Sequence, residues 1–152
     1  MVTYQSRISG PFLDRIDLQI DIPAVTAADL ALPASSEGTQ EAAARVANAR
    51  AAQAQRYQSD GLAIATNAIA SGAVLDRVAA PDGPGRDLLG QAADALRLSA
   101  RAYHRTLKVA RTIADLDGAE GVKRIHIAEA LAYRRVEPNP AQAVSTPSFQ
   151  KL

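Results

Sequence analysis

Leu18-Gln19-Ile20-Asp21-Ile22 alternates apolar and polar side chains, the period of a half-buried strand, and Pro23 stops it. No second strand pattern follows, and that restricts the chain more than any other feature. A strand needs a neighbour to take up its backbone N–H and C=O groups. The segment is therefore expected to belong to a sheet outside this sequence, and everything after it to fold as helices. The abrupt start, with connected structure over residues 4–17, carries the same expectation of a piece of a larger protein.

Helical patterning begins at Thr39 and runs to Tyr57, with Ser36 or Thr39 as its expected cap and Glu41 and Arg45 spaced i,i+4 for an ion pair. A loop containing Asn67 leads to a short helix over Ser71–Val78. Pro81-Asp82-Gly83-Pro84-Gly85 reads as a turn, and the next helix as Arg86–Leu96. Ser99 is placed to cap a long helix through Leu116, Gly118 and Gly121 flank a break, and a last helix spans Ile125–Arg135. The expected fold class is mainly α, a bundle of about four or five helices. Its expected organisation is the end of a core with one strand over 1–23, a linker over 24–38, a helical domain over 39–136, and a disordered tail over 137–152 that is rich in Pro and polar residues.

The composition limits how such a bundle can pack. Of 152 residues, 47% are hydrophobic but only 4% aromatic, and Trp is absent, so the core must be lined by Ala, Leu, Ile and Val. Such a core buries little apolar area per residue and benefits from contact with something larger. The net charge of +1 sets up no global field for nucleic acid or membrane. Zero Cys excludes disulfides, zinc–thiolate sites and thiol catalysis. No apolar run approaches the ~20 residues of a membrane helix, and no secretion signal is present, which points to the cytoplasm.

At about 100° per residue, Arg101, His104, Arg105, Lys108 and Arg111 share one side of the long helix, and Tyr103, Leu107, Ala110, Ile113 and Ala114 the other. The stripe reads as a solvated face or as a phosphate-contacting one. Arg101 differs from its neighbours. It sits in the first turn, where the helix dipole disfavours a cation, and the arrangement makes sense if guanidinium and helix N-terminus converge on an anion. Arg134 and Arg135 are expected to complement a helix C-terminus. His104 and His126 have no companions at metal-ligand spacing, and no metal site is assigned.

Ser9-Gly10-Pro11-Phe12-Leu13-Asp14-Arg15-Ile16-Asp17, within a block from Tyr4 to Leu18, resembles the arginine-finger segment of the ComM/YifB family of magnesium-chelatase-like AAA+ ATPases. Phe12 stands where that family often has Leu. A second block is similar to the family's C-terminal helical domain. It comprises Leu98-Ser99-Ala100-Arg101-Ala102-Tyr103-His104-Arg105, Lys108-Val109-Ala110-Arg111-Thr112-Ile113-Ala114-Asp115-Leu116, Glu129-Ala130-Leu131 and Tyr133-Arg134. The resemblance implies the helical lid of a hexameric motor that binds ATP and Mg²⁺ between subunits and works on DNA, in natural transformation and branch migration. It implies that Arg15 is the arginine finger acting on a neighbour's nucleotide, that Arg101 is the second sensor arginine, and that Arg7 is a further nucleotide-binding candidate. An alternative is a nucleic-acid-binding module using the basic helix face; another is the motor subunit of a true metal chelatase.

No G-x-x-x-x-G-K-[ST] occurs: Gly118-Ala119-Glu120-Gly121-Val122-Lys123 has the wrong spacing and Pro84-Gly85-Arg86 has no Lys. The phosphate-holding loop and the acidic Mg²⁺ ligands are expected upstream of Met1. By itself the chain is expected not to hydrolyse ATP, and the rest of the ATPase core and neighbouring subunits are its expected partners.

Overall fold

The computed structural model describes residues 15–20, 22–33 and 37–134. Arg7, the 9–14 part of the Ser9–Asp17 motif, Asp21, Ser36, Arg135 and the 137–152 tail lie outside the described residues. Six helices occur among the described residues: α1 (Ala27–Leu30), α2 (Thr39–Ser59), α3 (Gly72–Val78), α4 (Gly83–Ala95), α5 (Ala100–Leu116) and α6 (Arg124–Ala132). None is long and apolar enough to cross a membrane. α5 is central and touches α2, α3 and α6, while α4 packs on α6.

The local chemistry explains most of the boundaries. Ser99 caps α5 by accepting from the Ala102 N–H at 3.1 Å. Gly118, at φ 66°, ends it: the Ala119 N–H reaches Ala114 O at 2.8 Å and the Gly118 N–H reaches Asp115 O at 3.2 Å, a Schellman closure. α4 begins earlier than the turn motif suggests. Asp82 caps it through Gly85 N at 2.7 Å, and Pro84 lies in its first turn, where a missing N–H costs nothing. Gly85 is buried there, and a Cβ would lie 2.7 Å from the capping Asp82 carboxylate and 3.2 Å from Arg124 N. The close approach lets Asp82 N bond Val122 O at 2.9 Å, which joins α4 to the start of α6 through an isolated Pro81–Val122 bridge.

Three further sequence expectations shift. The N-cap of α2 is Gly38 rather than Thr39; Glu41 turns back to accept from Gly38 N at 3.0 Å, and Arg45 pairs with Glu37 at 3.2 Å in place of Glu41. The 24–38 linker contains α1, held by a reciprocal Thr26–Asp29 capping box although none of its residues is buried. No strand forms among the described residues of 18–22. Leu18, Ile20 and Ile22 are exposed, and with no neighbouring strand the ladder bonds that define a sheet cannot form.

The core joins Tyr57, Leu75, Leu89, Leu107, Ile113, Val122 and Ile127 with Ala70, Ala79, Ala110, Ala114 and Ala130. The small side chains let α2 and α6 approach α5 closely. Beside this thin apolar core lies a buried polar network. Asp115, with 1% of its side chain exposed, accepts on Oδ1 from Arg111 Nε at 3.1 Å, Arg111 Nη2 at 2.8 Å and Arg56 Nη2. Its Oδ2 accepts from Asn67 Nδ2 at 2.8 Å and Arg56 Nη1 at 3.2 Å. Asn67 Oδ1 in turn accepts from the Tyr57 hydroxyl at 2.8 Å, and Arg111 donates to the carbonyls of Ala119 and Glu120 at 2.7 and 2.8 Å. Among the described residues no buried side-chain nitrogen or oxygen lacks a partner.

Burial works to raise the Asp115 pKa, but hydrogen bonds from Arg56 and Asn67 and the charges of Arg111 and Arg56 outweigh it, holding the carboxyl below its ordinary 3.8. A depressed folded-state pKa gives stability that is present above the unfolded value and lost as pH falls through the folded one. Asp115→Asn should cost about 3–5 kcal/mol, since it leaves the Arg111 guanidinium buried without its counter-charge. Urea unfolding of wild type should show stability declining below about pH 4, with a flatter pH profile in the variant.

Candidate functional site

The basic stripe of α5 does not form one free surface. Arg111 is 1% exposed and belongs to the Asp115 network, which corrects its expected place on a solvated face. Its acidic partner stands one turn further on, at i+4, and draws the guanidinium inward. Lys108 Nζ donates to Ala68 O at 2.8 Å, tying α5 to the loop before α3. His104 is exposed, its ring edge-on to Tyr103 at 5.9 Å. His126 is buried at the start of α6, where Nδ1 accepts from Lys123 N at 2.9 Å and Nε2 faces Asp117 Oδ2 at 3.4 Å.

The N-terminal half of the same helix is different. Arg101, at the second position of α5, is exposed, and its guanidinium has no hydrogen bond or ion pair among the described residues. One turn on, Arg105 Nη1 donates to the backbone carbonyl of Arg15 and to Asp17 Oδ1, the latter at 2.5 Å. The segment carrying Arg15 thus lies against the helix carrying Arg101. A second bond holds its other end, from Gln19 N to Tyr133 O at 2.8 Å beyond α6. Arg134 Nη1 reaches across to Ala102 O at 2.8 Å and fastens the end of α6 to the first turn of α5.

Arg15 is exposed, and its guanidinium has no partner among the described residues. Asp14 and Asp17 are both in reach of Arg15 along the sequence; Asp17 is engaged by Arg105 instead, and Asp14 lies outside the described residues. Two of the three arginines singled out in the sequence are therefore brought to neighbouring parts of one surface, their charges unpaired among the described residues; Arg7 lies outside the described residues. The sequence offers Arg105 only as part of the basic stripe, and its position one turn after Arg101 is the signal for its contact with the Arg15 segment. Among the described residues there is no group of three or more His, Cys, Asp or Glu side chains able to hold a metal ion.

Residues 36–134 match the model of the family "Magnesium chelatase, subunit ChlI C-terminal", and residues 1–30 that of "Magnesium chelatase, subunit ChlI". The chain belongs to the magnesium chelatase ChlI C-terminal family. Its relatives place it as a ComM/YifB-like C-terminal region. It is 37% identical over 135 residues to the competence protein ComM of Haemophilus influenzae, covering 88% of this chain and 25% of that protein. Against YifB of Escherichia coli the identity is 35% over 137 residues, covering 88% and 26%. An uncharacterized protein of Mycobacterium tuberculosis is 38% identical over 132 residues, covering 87% and 26%. The chain thus spans about a quarter of the length of these relatives.

In this family member the α5 first turn keeps a cation where the helix dipole opposes it, at a cost of about 0.3–1 kcal/mol. Arg101→Ala should therefore leave the stability of the chain unchanged or raise it by up to that amount. Urea denaturation of the purified chain measures this; a clear loss of stability would mean that Arg101 serves the fold.

Proposed function

We propose that the chain is the helical lid of a cytoplasmic AAA+ ATPase, carrying the finger segment that the lid's own subunit offers to its neighbour in a hexamer. The observation that carries this proposal is the docking of the Arg15 segment on α5, with Arg15 and Arg101 both exposed and unpartnered among the described residues. Exposed, unengaged guanidiniums in a domain whose other α5 cations are spoken for are suited to an anion with several oxygens, such as a triphosphate.

In this role Arg15 reaches the γ-phosphate bound by the adjacent subunit. Its charge offsets the negative charge that develops on the phosphoryl oxygens as the bond to the leaving group lengthens. Arg101, at the helix N-terminus, contacts the nucleotide and links its state to the orientation of the lid; Arg7 is a further candidate in the same segment. ATP is the substrate and Mg²⁺ its counter-ion. With no metal-ligating cluster among the described residues, the Mg²⁺ ligands are assigned to the ATPase core.

A DNA-associated role is supported by the similarity to a competence protein. The engagement of Arg105, Lys108 and Arg111 within the fold argues against a simple nucleic-acid-binding face on α5. The magnesium chelatase description of the family supports a chelatase motor as the second reading.

Arg15→Ala in the full-length protein should lower ATP turnover by about 10³-fold or more with nucleotide binding largely kept, since fingers contribute about 10³–10⁵ in rate. Steady-state hydrolysis alongside equilibrium binding of a nucleotide analogue separates the two effects, and normal turnover would remove the finger assignment. Arg101→Ala should weaken nucleotide affinity, turnover or both; if neither changes, its sensor role is lost.

A further inference from the structure

Arg105 belongs to neither arginine role described above, yet it is the side chain that brings their two segments together. We infer that Arg105 is a positioning residue that couples the lid helix to the finger, so that α5, with Arg101 at its start, and the Arg15 backbone move as one body. The inference rests on the finger role of Arg15.

The geometry is specific. Arg105 side-chain exposure is 26%, against 55% for its partner Asp17, so the guanidinium is the more buried partner and the finger segment lies over it. A single nitrogen, Nη1, serves both the Arg15 carbonyl and the Asp17 carboxylate. The first contact fixes the backbone of the finger residue itself, leaving its side chain free to extend. The second, two residues on, fixes the direction in which the chain leaves. With Gln19 N bonded to Tyr133 O at 2.8 Å, the 15–19 segment has an anchor at each end, one on α5 and one just beyond α6.

Arg105 and Arg101 are one helical turn apart on the same face. Any tilt of α5 that accompanies nucleotide contact at Arg101 is therefore delivered to the Arg15 carbonyl through one side chain. An exposed ion pair of this kind is weak and reversible, which suits a joint that must re-form as the lid moves. Catalysis, in contrast, is sensitive to small displacements, and a misplacement of about 1 Å can cost ~10²-fold. Weak binding energy at Arg105 can thus govern a large part of the rate without governing nucleotide affinity.

The donor pattern sets the test. Two acceptors on one nitrogen can also be served by a Lys ammonium, which has three donors, whereas a guanidinium that reads phosphate as a planar fork cannot be replaced in this way. In the full-length protein, Arg105→Ala should lower kcat for ATP by about 10–10²-fold with KM little changed, and Arg105→Lys should recover most of that loss. In the 152-residue chain, hydrogen exchange at the Gln19 amide should speed up in Arg105→Ala and return toward wild type in Arg105→Lys. Arg15→Ala is measured in parallel. An inactive Arg15→Ala beside a fully active Arg105→Ala overturns the coupling and leaves the finger in place. A fully active Arg15→Ala removes the finger, and the coupling with it. Unchanged Gln19 exchange in Arg105→Ala, or an Arg105→Lys as impaired as the Ala variant, also overturns the positioning role.

Discussion

Everything in the bundle depends on how Asp115 is satisfied. A carboxylate near the C-terminus of a helix faces an unfavourable dipole, and burial adds a desolvation penalty. Both are met by two guanidiniums and an amide that arrive from different places: Arg111 from its own helix, Arg56 from α2 and Asn67 from the loop before α3. Arg111 then spends its remaining donors on the Ala119 and Glu120 carbonyls, in the connection that leads to α6. One carboxylate thus specifies the mutual placement of α2, α5 and two loops. The apolar contacts could not do this alone, because a core rich in Ala offers little shape to fix a register.

The consequence is a division along α5. Its C-terminal half is committed to the fold through Arg111 and Asp115, and its N-terminal half is left to carry exposed charge at Arg101 and the docked Arg15 segment at Arg105. A rigid root under an exposed N-terminal half is the arrangement the proposed lid role requires, since Arg101 could report nucleotide only through a helix that transmits its orientation. The buried network supplies that rigidity about three turns away from the site, without occupying the groups the site uses.

Much of the fold was legible in the residues. Ser99, Gly118 and the spacing of Leu107, Ala110, Ile113 and Ala114 define α5 because capping and amphipathic burial are local effects. Arg111 was misplaced for a physical reason. Helical geometry puts it near Arg101 and Lys108 on the wheel, and only the long-range arrival of Arg56 and Asn67 beside Asp115 makes burial of its charge favourable. The loop position of Asn67 was visible and its partners were not, since they lie 48 residues away at Asp115 and 45 at Thr112. Capping chemistry in the first turn of α2 was ambiguous in a different sense. Glu41 had two local uses, an ion pair with Arg45 or the Gly38 amide, and the capping bond prevailed.

The 18–22 segment shows where local pattern stops being sufficient. Alternation states which faces a strand would present, and pairing decides whether there is a strand at all. Gln19 instead gives its amide to Tyr133, so this stretch is held by the end of the helical domain at one point. The same point helps to fix the Arg15 backbone. A segment patterned for a sheet is thus tied to the end of the helical domain, and the charged residues along it lie against α5. That placement, more than the identity of any one arginine, brings the Arg15 backbone to the helix that carries Arg101.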